Sequence, residues 1–276
     1  MRIKLKTADF DLERTLDSGQ VFGFEKNGSE YRGDIGGSSL VLYQKDRDLH
    51  AEAAGRVPSA RVLEDYFDLK RDLSPVYAVL DGEEKLRITR DTLAGLRLIR
   101  QDPWQGLAGF ILSSNNNVKR IQHIWKNMTA HFSRRRKDGR SGFPDAAEIA
   151  GGGERVLREL GLGYRAPFLW ASSQFIAHNP QCLDFIREAD YESARERVIA
   201  FPGIGPKVAD CVLLYAFQKY EAFPVDVWIL RAMRKLYFNN RRVSEERVHA
   251  YGQKRWKEHA GYIQQYIFHG IRTGVI

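Results

Sequence analysis

The sequence predicts an α+β protein, an antiparallel β domain over residues 1–98 with flanking helices, followed by an all-helical domain over 99–276. Three observations carry this prediction. Apolar residues alternate in short runs such as Tyr31 to Ile35 and Leu40 to Tyr43, and turn residues (Asn27-Gly28, Gly36-Gly37-Ser38-Ser39) separate the runs. Near Ala60 the period changes: Val62, Leu63, Tyr66 and Phe67 share one face of a helix. That spacing persists to the C-terminus, in Leu107, Phe110 and Ile111, in Ile121, Ile124 and Trp125, in Val208, Val212 and Tyr215, and in Ile229, Met233 and Leu236. Gly151-Gly152-Gly153 and His178-Asn179-Pro180 are read as breaks between helical segments. A chain of 276 residues is long enough for two such domains to share a large buried interior.

Composition narrows the class. Hydrophobic residues make up 43% and charged residues 28%, which argues against disorder. No apolar run approaches the ~20 residues of a membrane span, and the start Met1-Arg2-Ile3-Lys4-Leu5-Lys6 has no apolar leader, so a cytoplasmic protein is expected. Only Cys182 and Cys211 are present, too few for a disulfide framework or for a zinc or iron–sulfur site built from cysteines. A formal net charge of +8 suggests a polyanionic partner without identifying it. The basic clusters Arg134-Arg135-Arg136-Lys137 and Arg241-Arg242 read as solvated loops, and no site is placed on them.

The segment most informative about function is Phe201-Pro202-Gly203-Ile204-Gly205-Pro206-Lys207, between helical stretches Tyr191 to Ala200 and Pro206 to Phe217. Two glycines allow a tight turn and leave backbone N–H groups unshielded. Pro206 suits the first position of the outgoing helix, where a missing N–H costs nothing. Backbone N–H groups at a helix start hold a phosphate, so residues 191–219 read as a helix-hairpin-helix gripping DNA through Gly203 and Gly205 without reading sequence. A plain interhelical turn is the alternative for the Gly-x-Gly alone.

Lys207 adds chemistry. In the first turn of a helix a second positive charge is disfavoured, so its pKa is expected to fall, and a neutral amine is what attack at carbon requires. A solvated lysine or a phosphate contact is the alternative. Nineteen residues on, Phe223-Pro224-Val225-Asp226-Val227-Trp228 places Asp226 to N-cap a helix starting at Val227. A capping carboxylate stays ionised and fixed in direction, so capping is compatible with catalysis.

The stretch Phe201 to Trp228 resembles the helix-hairpin-helix DNA glycosylases that end in a Gly/Pro-rich loop and a catalytic Asp. Within them the chain is similar to the 8-oxoguanine DNA glycosylases with lyase activity. Four further segments carry that narrower resemblance: Ser18-Gly19-Gln20-Val21-Phe22, the Ser113-Ser114-Asn115-Asn116-Asn117 run with Arg120 after it, Leu160-Gly161-Leu162-Gly163-Tyr164-Arg165-Ala166, and the helix Gly261 to Phe268. Two departures stand out. Trp228 occupies the position of a histidine that touches phosphate in eukaryotic members, which puts that contact in doubt and suggests a prokaryotic branch. Gly23-Phe24 stands where Arg-Trp is expected.

The resemblance implies base flipping, because a base inside a duplex is out of reach. It implies that Asn115 fills the gap, Tyr164 wedges beside it, and Arg120 and Arg165 bond the orphaned cytosine. Lys207 then attacks C1′ while Asp226 stabilises charge on the sugar, and the Schiff base permits strand cleavage. Gly19, Cys211, Gln264 and Phe268 would form the base pocket, the Gly19 carbonyl reading the N7–H of the oxidised base. A monomer acting on duplex DNA is implied, located with the nucleoid of a prokaryote, with no required cofactor and room for a monovalent cation on the hairpin carbonyls. The alternatives are a glycosylase for another damaged or mispaired base, and a non-catalytic helix-hairpin-helix DNA-binding protein.

Overall fold

The computed structural model describes residues 1–53, 55, 57–134 and 142–276; Arg135-Arg136-Lys137 of the first basic cluster lie outside them. Strands β1 (Arg2–Lys6), β2 (Glu25–Asn27), β3 (Glu30–Ile35), β4 (Ser38–Lys45) and β5 (Asp48–Glu52) form one antiparallel sheet in the order β1-β5-β4-β3-β2. Helix α1 (Leu12–Leu16) connects β1 to β2. The alternation read in the sequence sets the register, with Tyr31 opposite Leu42 and Leu42 opposite Ala51. These side chains share one face and are buried with Leu40 and Leu49. Helix α2 (Ala60–Tyr66) closes this smaller core with Leu63, and Phe67 follows it.

Helices α3 (Ser74–Gly82) and α4 (Arg87–Leu93) follow, and their Val76, Leu80 and Leu93 enter the larger helical core instead. Among the described residues ten more α-helices follow. They are α5 (Pro103–Ser113), α6 (Val118–Ser133), α7 (Ala146–Glu159), α8 (Ala166–His178), α9 (Gln181–Glu188), α10 (Tyr191–Ile199), α11 (Pro206–Phe217), α12 (Val227–Tyr237), α13 (Glu245–Trp256) and α14 (Ala260–Thr273). The glycine cluster 151–153 does break the helical run: Gly153 takes a non-helical conformation (φ 81°, ψ 160°), and two helical stretches meet there in a kink within α7.

Two helices set the position of everything that follows. Helix α5 is buried from Leu107 through Leu112 and α11 from Val208 through Phe217, so both are central. They run antiparallel in close contact: a side chain on Gly106 would collide with Ala216, and Phe110 stacks on Tyr215 with ring centroids 5.6 Å apart. This brings the end of α5 to the start of α11. The sheet unit is tied to the helices by buried polar groups. Asp68 pairs with Arg71 at 2.7 Å and Arg100 at 2.6 Å and accepts the Tyr220 hydroxyl. At Gly23 of the Gly23-Phe24 departure an added Cβ would lie 3.0 Å from the Trp125 indole of α6, so a larger residue there would need that ring to give.

Candidate active site and nucleic-acid interface

The hairpin between α10 and α11 forms as its residues require. Gly203 has φ +76°, and a Cβ there would collide with the Phe168 ring of α8. Ile204 is buried beneath the turn. Gly205 N-caps α11 with no side-chain cap, and nothing lies within 4 Å of the position a Cβ would take. The first N–H groups of α11 are therefore without an intrahelical partner and without steric cover, which suits a phosphate oxygen.

Lys207 follows Pro206 in the first turn of α11, and Asp226 N-caps α12, its Oδ1 accepting from the N–H groups of Trp228 at 3.0 Å and Ile229 at 2.8 Å. The cap anticipated for Asp226 is present. The expected fall in the Lys207 pKa is not: interaction with the Cys211 sulfur holds the ammonium above its ordinary value, with Asp226 adding to it, and burial pulls the other way. Cys211, itself enclosed, has its thiol pushed up to about 11 by burial. The helix start is one influence on Lys207, and the facing sulfur and carboxylate outweigh it.

Lys207 and Asp226 line one small cavity with Gly19, Cys211, Gln264 and Phe268, about 60 Å³ in volume. All four residues expected at a base pocket thus meet the two chemical groups, although they come from the N-terminal turn, α11 and α14. The amide of Gln264 is buried, not a surface group. Its Nε2 donates to the Pro224 carbonyl at 3.0 Å, and its Oε1 has no hydrogen-bond partner. A buried acceptor left open beside a cavity is expensive unless something binds there. Gly19 has φ +81°, and an added Cβ would lie 2.7 Å from Arg272 and 3.3 Å from the Phe268 ring.

Sequence reasoning missed part of this wall. Phe22, Phe110, Ser113, Tyr215 and Pro224 also line the cavity. It also missed two buried glutamines, Gln20 and Gln265, which hold the Gly19 turn. Their signal was weak: Gln265 is a polar residue inside a largely apolar helix, and Gln20 lies in the turn after α1.

The second group sits where α5 gives way to α6. Asn117 caps α6, accepting from the Arg120 N–H at 3.0 Å. Asn115 is exposed in a left-handed conformation (φ 47°). Tyr164, 48% exposed, donates through its hydroxyl to the Ser114 carbonyl at 3.0 Å. Arg165 is buried. Its guanidinium stacks on the Tyr164 ring at 4.4 Å and bonds the carbonyls of Ser114 and Asn115. Arg120 is exposed beside Gly163, its guanidinium 4.0 Å from where a Cβ would sit. The four residues expected to face the orphaned base therefore cluster. Val227 (69% exposed) and Trp228 (38%) present apolar surface on the first turn of α12, and the Arg231 guanidinium lies 5.2 Å over the Trp228 ring.

A glycine-rich hairpin between two helices, a half-buried lysine and a capping aspartate at one cavity define a DNA glycosylase of the helix-hairpin-helix class. Residues 108–258 match the HhH-GPD superfamily of base excision DNA repair proteins, and residues 2–107 match the N-terminal domain of 8-oxoguanine DNA glycosylase. The chain belongs to the HhH-GPD superfamily of base excision DNA repair proteins. It is 30% identical to a probable N-glycosylase/DNA lyase of Methanothermobacter thermautotrophicus, over 99% of this chain and 97% of the relative. It is similar to the Clostridium acetobutylicum 8-oxoguanine glycosylase/lyase, solved with duplex DNA carrying cytosine opposite 8-oxoguanine, at TM-score 0.88 and 27% identity over 100% of this chain and 99% of that one. The 3-methyladenine DNA glycosylase of Archaeoglobus fulgidus shares the fold at TM-score 0.77 and 23% identity, covering both chains completely. The fold alone therefore does not select the base.

Proposed function

We propose that this protein is a bifunctional DNA glycosylase and abasic-site lyase that excises 8-oxoguanine from duplex DNA, with Lys207 as nucleophile and Asp226 as its acidic partner. The observation that carries the reading is the single cavity at which Lys207, Asp226, Gly19, Cys211, Gln264 and Phe268 converge. A non-catalytic DNA-binding protein has no use for a half-buried lysine beside a capping carboxylate and an open amide oxygen.

The steps follow from these groups. The hairpin N–H groups and the basic surface hold the DNA backbone. The damaged nucleotide leaves the stack, and Asn115, Tyr164, Arg120 and Arg165 occupy the gap and the orphaned cytosine, offsetting a few kcal/mol of lost stacking. Half-buried Phe268 stands at the cavity wall, where the base enters. The Gln264 Oε1 accepts from the Watson–Crick edge, Cys211 and Phe268 cover the two faces, and the Gly19 carbonyl accepts the N7–H that only the oxidised base carries. In normal guanine the same carbonyl meets a lone pair, an unpaired contact costing about 1–3 kcal/mol.

Lys207 loses its proton to solvent, and the neutral amine attacks C1′ as the C1′–N9 bond breaks; the base leaves with the electron pair and takes up the proton that the newly bonded amine sheds. The Asp226 carboxylate, fixed in direction by two backbone N–H groups, stabilises positive charge developing on the sugar. Ring opening gives a Schiff base, and loss of a C2′ proton breaks the C3′–O bond by β-elimination. No cofactor enters this chemistry; a monovalent cation on the hairpin carbonyls is proposed as a support for the phosphate grip. The protein is further proposed to act as a monomer in the cytoplasm, at the nucleoid, and no helix among the described residues is long and apolar enough to cross a membrane.

Product analysis on an oligonucleotide carrying one 8-oxoguanine opposite cytosine tests the reading. Free 8-oxoguanine together with a strand ending in an unsaturated aldehyde is expected. Release of base with an intact abasic strand would remove the lyase assignment, and excision of another base alone would remove the substrate.

A further inference from the structure

We infer that Gln265 is a positioning residue for damage recognition, its buried amide fixing the Ser18-Gly19 turn from which the Gly19 carbonyl meets the base. The inference rests on the pocket reading above and explains what that reading demands. Oxidised and normal guanine differ at N7 by one proton. A carbonyl free to retreat by a few tenths of an ångström would relieve the repulsion from normal guanine and lose the distinction. Rigidity of the acceptor is therefore the discriminating property.

The structure supplies that rigidity from both flanks of Gly19. On one side Gln265, fully buried on α14, donates from Nε2 to the Ser18 carbonyl at 3.0 Å while its Oε1 accepts the Tyr215 hydroxyl. Tyr215 is held in turn by stacking on Phe110. On the other side the Gln20 Nε2 donates to the carbonyls of Thr15 and Arg97 and to the Ser18 Oγ, and its Oε1 accepts from the Ile99 N–H at 2.7 Å. The Gln20 carbonyl accepts from Gln101 at 2.7 Å. Gly19 hangs between two residues whose polar groups are committed elsewhere.

The amide at position 265 meets two opposite demands at once, because Ser18 offers an acceptor and Tyr215 a donor. The consecutive pair Gln264-Gln265 thus divides its labour: Gln264 keeps its Oε1 open beside the cavity, while Gln265 has both ends bonded away from it. The same helix that reads the Watson–Crick edge also sets the carbonyl that reads N7.

The test compares two single-turnover rates in Gln265→Met: excision of 8-oxoguanine opposite cytosine, and cleavage at a preformed abasic site in the same duplex. Excision is expected to fall about tenfold while abasic-site cleavage stays within about twofold. A folding defect lowers the active fraction and takes both rates down by one factor, so the ratio isolates positioning from stability. Tyr215→Phe keeps the ring and removes only the hydroxyl. It is expected to move the ratio in the same direction by less, and it serves if the methionine variant does not fold. An unchanged ratio overturns the inference. Gly19→Ala measured alongside tells which idea has failed: if it shifts the ratio and the Gln265 and Tyr215 variants do not, the clamp falls and the pocket stands, whereas if none shifts it, both fall.

Discussion

The Ser114 carbonyl takes two hydrogen bonds from one guanidinium, that of Arg165, through Nε at 2.8 Å and Nη2 at 2.6 Å. The same side chain is expected to bond the orphaned cytosine, so it both shapes the Asn115 loop and reads the opposite strand. Arg120, exposed nearby, has no such structural duty. Arg165→Ala and Arg120→Ala should both weaken the preference for cytosine opposite the lesion by about 1–3 kcal/mol. Only Arg165→Ala should also lower the melting temperature. Excision opposite each of the four bases, measured with thermal unfolding, checks this. Equal losses opposite all four bases would reduce both arginines to phosphate contacts.

Asp226→Asn keeps the shape of the cap and removes its charge. Because the oxygen facing Trp228 and Ile229 survives, the melting temperature should change little. Excision should slow by ~10²-fold or more, the scale of a lost electrostatic stabiliser. Activity that merely tracks stability would leave Asp226 as a cap and nothing more.

The base pocket predicts a split between substrates. Gly19→Ala puts a methyl group against Arg272 and the Phe268 ring at positive φ, and Phe268→Ala removes one face of the pocket. Both should impair 8-oxoguanine excision far more than cleavage at a preformed abasic site, which presents no base to recognise. Equal impairment of both substrates would contradict the pocket while leaving the nucleophile in place.

The raised Lys207 pKa gives a pH signature with a defined sign. Below that pKa the neutral amine fraction grows tenfold per pH unit, so abasic-site cleavage should rise with pH from about 7 towards 10. Cys211→Ala removes the largest cause of the upward shift. The rise should then begin at lower pH, visible on the abasic substrate because no base is needed there. A profile that stays in place, or moves upward, would contradict the coupling between these two side chains.

What the sequence made legible was local. Alternation in Tyr31 to Ile35 foretold the sheet, and Gly203, Gly205, Pro206 and Asp226 announced their turn, helix start and cap, because each such signal lies within a few residues. The Lys207 pKa was misread since its helix position was visible while the facing sulfur and carboxylate were weighed too little. Gln265 was passed over because its partners, Ser18 and Tyr215, are remote in sequence and only the fold brings them together. Gly151-Gly152-Gly153 announced a break between helical segments, and Gly153 supplies it as a kink within α7, again a local signal.

Whether Lys207 forms the covalent intermediate decides the account. Wild-type protein incubated with an 8-oxoguanine·cytosine duplex and borohydride should become irreversibly joined to the DNA through the reduced Schiff base. Lys207→Gln should bind the same duplex through its intact hairpin, yield no adduct, and neither excise the base nor cut the strand. An adduct formed by Lys207→Gln at the wild-type level would contradict the mechanism proposed for this protein.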